Sequence, residues 1–145
     1  MRILGIDHGD IHIGLALSDP LELTAQPLGQ YHLRGEAENK AYFCDLIRRQ
    51  EVGEIVVGFP LRMDGSSGTR AEKTRGFAAW LEKTSGLPVV LWDERLTTRQ
   101  AIGIMHEQKI RTKTKRTVEH QISAVLILQA YLDSRHCHRH DPQDR

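Results

Sequence analysis

The chain has 145 residues, 39% hydrophobic and 27% charged, which is the size and balance of one ordinary globular domain. Its 20 Lys and Arg against 19 Asp and Glu give a formal net charge of +1, so only local clusters of basic residues could attract an anionic partner. The sequence lacks the long apolar run of a membrane span, and its two cysteines, Cys44 and Cys137, lie far apart. We therefore expect a cytoplasmic protein with reduced thiols, without a membrane span, signal peptide or disulfide framework.

Strand and helix signals alternate along the chain without an internal repeat. Two strands are predicted over 2–7 and 11–18, joined by a link short enough for a hairpin, and a third over Gln26–Leu33. Apolar residues at spacings of three and four predict a helix over Glu36–Gln50. The β-branched run Glu54–Pro60 is typical of a strand buried on both faces of a parallel sheet.

The second half of the chain repeats this alternation. The loop LRMDGSSG precedes a second amphipathic helix, and Pro88–Trp92 predicts another buried strand. A third helix is predicted to begin near Thr97, and a last, strongly apolar helix covers about Arg116–Asp133. Residues 135–145 are predicted to form a disordered, His-rich tail, in which any metal binding would be adventitious.

Three strands with short links, followed by strands alternating with helices, predict one domain over residues 1–134. Its fold class is α/β: a mixed sheet made of an antiparallel three-strand meander and two parallel strands, with helices on both faces. In such a sheet, polar chemistry collects where strand ends meet helix starts, so carboxylates at strand ends are the informative residues.

Two predicted strands end in carboxylates. Asp7 ends the first strand, and Asp93 and Glu94 follow the run VVLW. Side chains alternate along a strand, so Asp93 and Glu94 should point to opposite faces, and we expect Glu94 to face Asp7. Neighbouring carboxylates repel each other unless a cation lies between them, and oxygen ligands of this kind suit Mg²⁺ or Mn²⁺. Alternatively, Asp7 only accepts hydrogen bonds in a turn, while Asp93 and Glu94 cap the next helix.

Four separated blocks of sequence resemble those of the YqgF family, also called RuvX, in the same order and spacing: GIDHGDIHIGLALSD, IVVGFPLRMDGSSG, DERLTT and AVLILQAYLD. The resemblance extends to about Asp133. It implies a ribonuclease-H-like fold related to the RuvC resolvases, in a bacterial nuclease that resolves Holliday junctions or matures the leader end of precursor small-subunit ribosomal RNA. The implied chemistry is phosphodiester hydrolysis with Mg²⁺ or Mn²⁺.

The resemblance also implies site residues. Asp7 and Glu94 would be metal ligands and catalytic residues, with Asp93 as a further catalytic candidate. The family's third ligand is an Asp at the start of the last helix, and the matching position here is His120. Imidazole is neutral and suits Mn²⁺ or a transition metal better than Mg²⁺. His120 is thus a catalytic ligand or proton shuttle, a structural residue, or the sign of a lapsed active site, and the sequence leaves these alternatives open.

Two basic segments are candidates for contact with the phosphate backbone of structured RNA or branched DNA. One is KIRTKTKR, just before the last helix, for which a merely solvated loop is the alternative; the other is LRMDGSSGTR, whose amides open a helix in a way that favours phosphate. Another basic residue directly follows Glu94, where it could orient a phosphate or form a salt bridge with Asp93 or Glu94. The predicted nucleic-acid-binding residues are Arg62, Arg70, Arg95, Lys113, Lys115 and Arg116.

Two other functions stay open at this point. The first strand–turn–strand block also resembles the phosphate-binding element of actin and the sugar kinases, although this chain supplies only one such domain and one copy of the element. The chain could also be a nucleic-acid-binding module of the same fold that has lost catalysis at His120. No exposed apolar stripe in the sequence indicates a subunit interface, so we expect a monomer or a weak homodimer.

Overall fold

The computed structural model describes residues 1–61, 68–96 and 116–139, and the side chains of all of these except 116–118 and 137–139. The elements in chain order are β1 Arg2–His8, β2 His12–Ser18, β3 Ala25–His32, α1 Glu36–Gln50, β4 Val52–Phe59, α2 Thr69–Ser85, β5 Val89–Asp93, a single 3₁₀ turn Glu94–Leu96, and α3 Arg116–Arg139. None of these helices is long and apolar enough to cross a membrane.

The five strands form one mixed sheet in the order β3-β2-β1-β4-β5. β1 pairs antiparallel with β2, and β2 pairs antiparallel with β3, which makes the predicted meander. β4 pairs parallel with β1 on one side and with β5 on the other. The predicted fold class is confirmed, and the parallel strands β1, β4 and β5 bring their carboxyl ends to one edge of the sheet.

Helices cover both faces of this sheet. α1 and α2 pack on one face, where Phe43 and Leu81 join Leu4, Ile6 and other buried strand residues in the larger apolar cluster. α3 packs on the opposite face and forms the second cluster with alternate residues of the same strands. Because Asp7 has the strand parity of Ile3, its side chain lies on the α3 face.

A stripe of α3 residues spaced by four runs along β1. It consists of His120, Ala124, Leu128 and Leu132. A Cβ added at Gly5 would stand 2.7 Å from the Cβ of Leu128 and 3.2 Å from the carbonyl oxygen of Ala124, so the helix and strand backbones approach closely here. Four residues of a helix span about 6 Å and two residues of a strand span about 6.7 Å. Successive members of the stripe therefore lie over alternate residues of β1. This alignment brings His120 to Asp7.

The opposite end of α3 is fixed by polar contacts. The hydroxyl of Tyr131 donates to Oε1 of Glu54 at 2.6 Å, and Arg135 reaches Oε2 of the same carboxylate at 2.9 Å. Gln129 accepts a hydrogen bond from the backbone N–H of Ala25 at 2.9 Å. Because these contacts tie the helix to β3 and β4, its position over the sheet is set at both ends.

The structure corrects two expectations. The strand predicted over Pro88–Trp92 is not buried on both faces: β5 pairs with β4 alone among the described strands, and Leu91 is 37% exposed. The last helix runs past Asp133 to Arg139, so residues 135–139 of the predicted disordered tail are helical. The extension is held by contacts with distant parts of the chain, because Arg135 is paired with Glu54 and His136 contacts the carbonyl oxygen of Glu22 at 2.8 Å. Residues 140–145 and the helix predicted near Thr97 lie outside the described residues.

Replacing Gly14 of β2 by Ala is expected to lower stability and displace the start of α3. An added Cβ would collide with the backbone carbonyl of His120, which cannot move without the helix. We expect a loss of about 1–3 kcal/mol in the free energy of unfolding, measured by urea denaturation. The matched control is Gly76→Ala in α2, where the added methyl meets open space and should stabilise the helix by roughly 0.5–1 kcal/mol. Equal stability of the parent and Gly14→Ala would show that the close approach of β2 to the His120 backbone does not limit the size of the residue at position 14.

Candidate active site

Asp7 and His120 form the centre of the candidate site. Asp7 is only 8% exposed, and its Oδ2 lies 2.7 Å from Nδ1 of His120. This hydrogen bond, more than any other influence, raises the pKa of His120 above its ordinary value. A raised imidazole pKa favours the protonated ring, so the contact has the character of a charge-assisted pair. The first turn of α3 therefore supplies the partner that a buried carboxylate at the end of β1 requires.

Gly9 and Gly14 provide the space for this pair. Gly14 lies opposite Asp7 in the β1–β2 ladder, directly under the backbone of His120. A Cβ on Gly9 would stand 2.9 Å from the His120 ring. Larger residues at these two positions would push the imidazole away from the carboxylate.

Glu94 is the second carboxylate on this face. It follows β5 in the 3₁₀ turn, and its side chain lies over Gly58 of the neighbouring strand β4, where an added Cβ would stand 2.7 Å from Glu94 Oε1. Burial, followed by the negative charge of Asp7, raises the pKa of Glu94 to about 7. Glu94 makes no hydrogen bond or ion pair with another residue in the described parts of the chain. The two carboxylates therefore repel each other without a cation between them.

Asp93 is turned away from this pair. Strand alternation places it on the α1 and α2 face, and its carboxylate binds Arg95 through Nε at 3.0 Å and Nη2 at 2.7 Å. Hydrogen bonds from Arg95 lower the pKa of Asp93. Arg95 was predicted either to orient a phosphate or to form a salt bridge with Asp93 or Glu94. The structure contains the salt bridge with Asp93.

Arg70 places a positive charge at the rim of the site. It is exposed in the first turn of α2, and its Nη2 donates to the carbonyl oxygen of His8 at 3.2 Å. Its charge opposes, without cancelling, the rise in pKa of both Glu94 and His120, as expected of a cation near each of them. Of the two predicted nucleic-acid-binding residues whose side chains the structure describes, Arg70 and Arg95, Arg70 is thus the one near Glu94 and His120.

His8 was not predicted as a site residue. Its ring stacks on Phe77 with centroids 4.6 Å apart, and its Nδ1 lies 3.3 Å from the hydroxyl oxygen of Thr74. Burial lowers the pKa of His8, so the neutral ring is favoured. Its position in the sequence could have predicted this packing, because the residue after Asp7 in a strand must point to the opposite face of the sheet, where α2 packs.

The side chains of four predicted nucleic-acid-binding residues are not described by the structure. Arg62, Lys113 and Lys115 lie outside the described residues. Arg116 begins α3, but its side chain is outside them as well. Within the described parts of the chain, no three His, Cys, Asp or Glu side chains converge on one point as a metal site. The three predicted metal ligands are therefore arranged as two carboxylates, Asp7 and Glu94, and the imidazole of His120, which is hydrogen-bonded to Asp7.

Comparisons with known proteins agree on the kind of protein to which this chain is similar. The model of the RuvX family, described as Holliday junction resolvase, matches residues 1–134. A protein of Koribacter versatilis is 44% identical over 141 residues, which are 97% of this chain and 92% of that protein. One of Pelotomaculum thermopropionicum is 47% identical over 135 residues, 92% of this chain and 88% of its own. Both carry the name "Putative pre-16S rRNA nuclease".

Two solved structures of similar fold are those of proteins bound to Holliday junctions. RuvC of Thermus thermophilus, in complex with a junction, superposes with a TM-score of 0.59 at 17% identity, covering 94% of this chain and 96% of that one. The fowlpox virus resolvase with junction DNA superposes with a TM-score of 0.54 at 12% identity, covering 92% and 98%. At these identities the likeness concerns the fold, which is ribonuclease-H-like as the sequence motifs implied.

Without divalent metal, the stability of the protein is expected to fall as pH rises through the range in which Glu94 ionises. Its pKa in the folded state is about 7 against an ordinary 4.5, so between these values the folded protein holds a proton that the unfolded chain has released. Stability therefore declines with rising pH across that range, and the Glu94→Gln variant should lose this part of the decline. Urea denaturation in EDTA at about pH 5 and about pH 8 measures the difference.

The control for net charge is Glu82→Gln, which removes an exposed carboxylate on α2. We expect Glu82→Gln to follow the parent at both pH values. An equal decline in the parent and in Glu94→Gln would mean that Glu94 carries no excess repulsion in the folded protein.

Proposed function

Because the chain belongs to the RuvX family, we propose that it is a nuclease that hydrolyses phosphodiester bonds in structured nucleic acid. That membership confirms the resemblance carried by the four sequence blocks. The observation that supports hydrolysis in this chain is the pairing of buried Asp7 with partly buried Glu94, whose pKa is raised to about 7 by burial and then by the negative charge of Asp7. Buried carboxylates that repel each other at the carboxyl edge of a sheet are a typical arrangement for binding a catalytic cation.

Precursor 16S ribosomal RNA is the substrate we favour. The relatives that bear this name match more than nine tenths of this chain at 44% and 47% identity. The resolvases of known structure support the fold alone, since they are at most 17% identical among those compared above. A four-way DNA junction offers the same phosphate chemistry and is the alternative substrate within the proposed activity. The cytoplasmic location and the monomeric or weakly dimeric state stay predictions.

The residues present fit a hard divalent cation such as Mg²⁺ or Mn²⁺. Mg²⁺ in proteins is commonly held by only one or two carboxylates, with water and substrate phosphate oxygens completing its shell. Asp7 and Glu94 are two such carboxylates, and Glu94 is without a hydrogen-bond partner in the described structure. When bound, the ion would supply Lewis-acid activation of water and of the phosphate. We propose Asp7 and Glu94 as its protein ligands.

The chain's own residues have distinct roles in this proposal. His120 holds Asp7 through Nδ1 at 2.7 Å and fixes the direction of its carboxylate. Its Nε2 is the atom that would exchange a proton with the reacting groups, as general acid or base. Arg70, exposed at the rim and anchored on the carbonyl oxygen of His8, would bind a phosphate of the backbone.

A second candidate function rests on the same hydrogen bond. Because His120 occupies Oδ2 of Asp7, one ligand oxygen is already engaged by the protein. If that bond persists, the cation loses a ligand and the domain is a nucleic-acid-binding module without catalysis. The two functions share the fold and the positive rim, so a binding measurement must accompany any assay of cleavage.

Cleavage of structured substrate is expected to require both carboxylates. The substrates are a transcript of the precursor 16S leader region and a four-way DNA junction, each with a linear duplex of matched length, in Mg²⁺ or Mn²⁺. Asp7→Asn and Glu94→Gln keep the side-chain shape, and each should reduce cleavage by roughly 10²-fold or more. Filter binding in EDTA should show little loss of affinity, because phosphate contact by Arg70 does not need the carboxylates.

The matched control is again Glu82→Gln, which should cleave like the parent. Binding by the parent without cleavage of any substrate in either metal would favour the noncatalytic module. Cleavage that survives both Asp7→Asn and Glu94→Gln would place the active centre elsewhere.

A further inference from the structure

Two histidines face each other across the β2–β3 hairpin. His12 of β2 is the ladder partner of His32 of β3, and their ring centroids lie 4.9 Å apart. His12 is partly buried, whereas His32 is exposed. Neither ring takes part in the contacts that build the site around Asp7 and His120.

The ladder places these two side chains at the closest spacing that an antiparallel sheet offers. The backbone N–H of Leu33 donates to the carbonyl oxygen of Ile11 at 2.7 Å. Leu33 follows His32 and Ile11 precedes His12, so this hydrogen bond belongs to the neighbouring pair of residues. His12 and His32 themselves are therefore a non-hydrogen-bonded pair of the ladder. In such pairs the Cα atoms are about 4.5 Å apart and the side chains leave the sheet side by side.

This spacing matches the requirement of a shared metal ion. Imidazole binds Zn²⁺ at about 2.0–2.1 Å, so two imidazoles on a tetrahedral ion have ring centroids roughly 5 Å apart. The observed 4.9 Å agrees with that value. The rings meet edge to face at 86°, and rotation of exposed His32 about its Cβ–Cγ bond would turn a ring nitrogen toward His12 while keeping the ring centroids at nearly the same distance.

We propose that His12 and His32 bind a divalent transition-metal ion, with Zn²⁺ as the representative case. Two neutral nitrogen donors suit Zn²⁺, Ni²⁺ or Cu²⁺ and do not suit Mg²⁺, whereas the carboxylates Asp7 and Glu94 have the opposite preference. The inference does not depend on the proposed nuclease function. Water or a phosphate oxygen completes the coordination of the ion, since the described residues hold no third His, Cys, Asp or Glu at this point.

The location of the pair connects it to the active-site end of the sheet. The carbonyl oxygen of His12 accepts a hydrogen bond from the N–H of Gly9 at 3.0 Å, and Gly9 borders the His120 ring. An ion on His12 and His32 would cross-link β2 to β3 beside the turn that follows Asp7. It would therefore stabilise the hairpin and add positive charge near the place where nucleic acid is proposed to bind.

The test is the change in thermal unfolding temperature of the full chain on addition of ZnCl₂, with MgCl₂ as the control ion. A ligand that binds only the folded state raises the unfolding temperature, so Zn²⁺ should do so in the parent. His12→Ala, His32→Ala and the double variant should each lose the same increment, because one imidazole cannot chelate alone. Zinc-dependent shifts of the His12 and His32 ring signals in NMR spectra identify the ligands directly.

A variant with Ala at His136, His138 and His140 and Ser at Cys137 controls for the tail. The zinc response should survive in that variant, whose remaining histidines include His12 and His32. Loss of the response there, with retention in His32→Ala, would assign zinc binding to the tail and overturn the proposal. An absent zinc response in the parent would overturn it as well, as would ring signals of His12 and His32 that do not move.

Discussion

The burial of the Asp7 carboxylate is the constraint on which the rest of this site depends. A carboxylate removed from water at the end of a central strand must find compensating donors or positive charge. The fold provides one such partner, His120 at 2.7 Å, and then adds a second carboxylate, Glu94, whose pKa is raised to about 7 by its own burial and by the charge of Asp7. A protein selected for stability alone would not place Glu94 there, which supports the proposal that a cation binds both carboxylates.

The close packing of α3 makes this arrangement possible. Glycines at positions 5, 14 and 58 remove the side chains that would keep the helix off the sheet, and an added Cβ at any of them would press on α3 or on Glu94. The polar anchors at Tyr131 and Arg135 hold the far end of the helix. Because a helix that is fixed at its far end and closely packed along its length cannot easily slide, the glycines of the sheet determine where His120 lies.

Much of the fold could be predicted because its signals are local. The period of apolar residues located α1 at Glu36–Gln50, and the continuous apolar run located β4. Strand alternation also indicated that Glu94, and not Asp93, shares a face with Asp7. The bond between His120 and Asp7, the contacts of His8 and the pairing of His12 with His32 depend on packing and register between segments far apart in sequence. The helical extension to Arg139 likewise depends on a distant partner, Glu54, which no local pattern reveals.

Calorimetric titration with Mn²⁺ and Mg²⁺ measures whether the carboxylates of Asp7 and Glu94 hold a divalent ion. We expect the parent to bind Mn²⁺, Asp7→Asn and Glu94→Gln to lose this binding, and His120→Asp to bind Mg²⁺ more tightly than the parent because a third carboxylate replaces the imidazole. Mn²⁺ binding of equal affinity in the parent and in Asp7→Asn would contradict this expectation, since the buried carboxylate would then have no part in holding the ion.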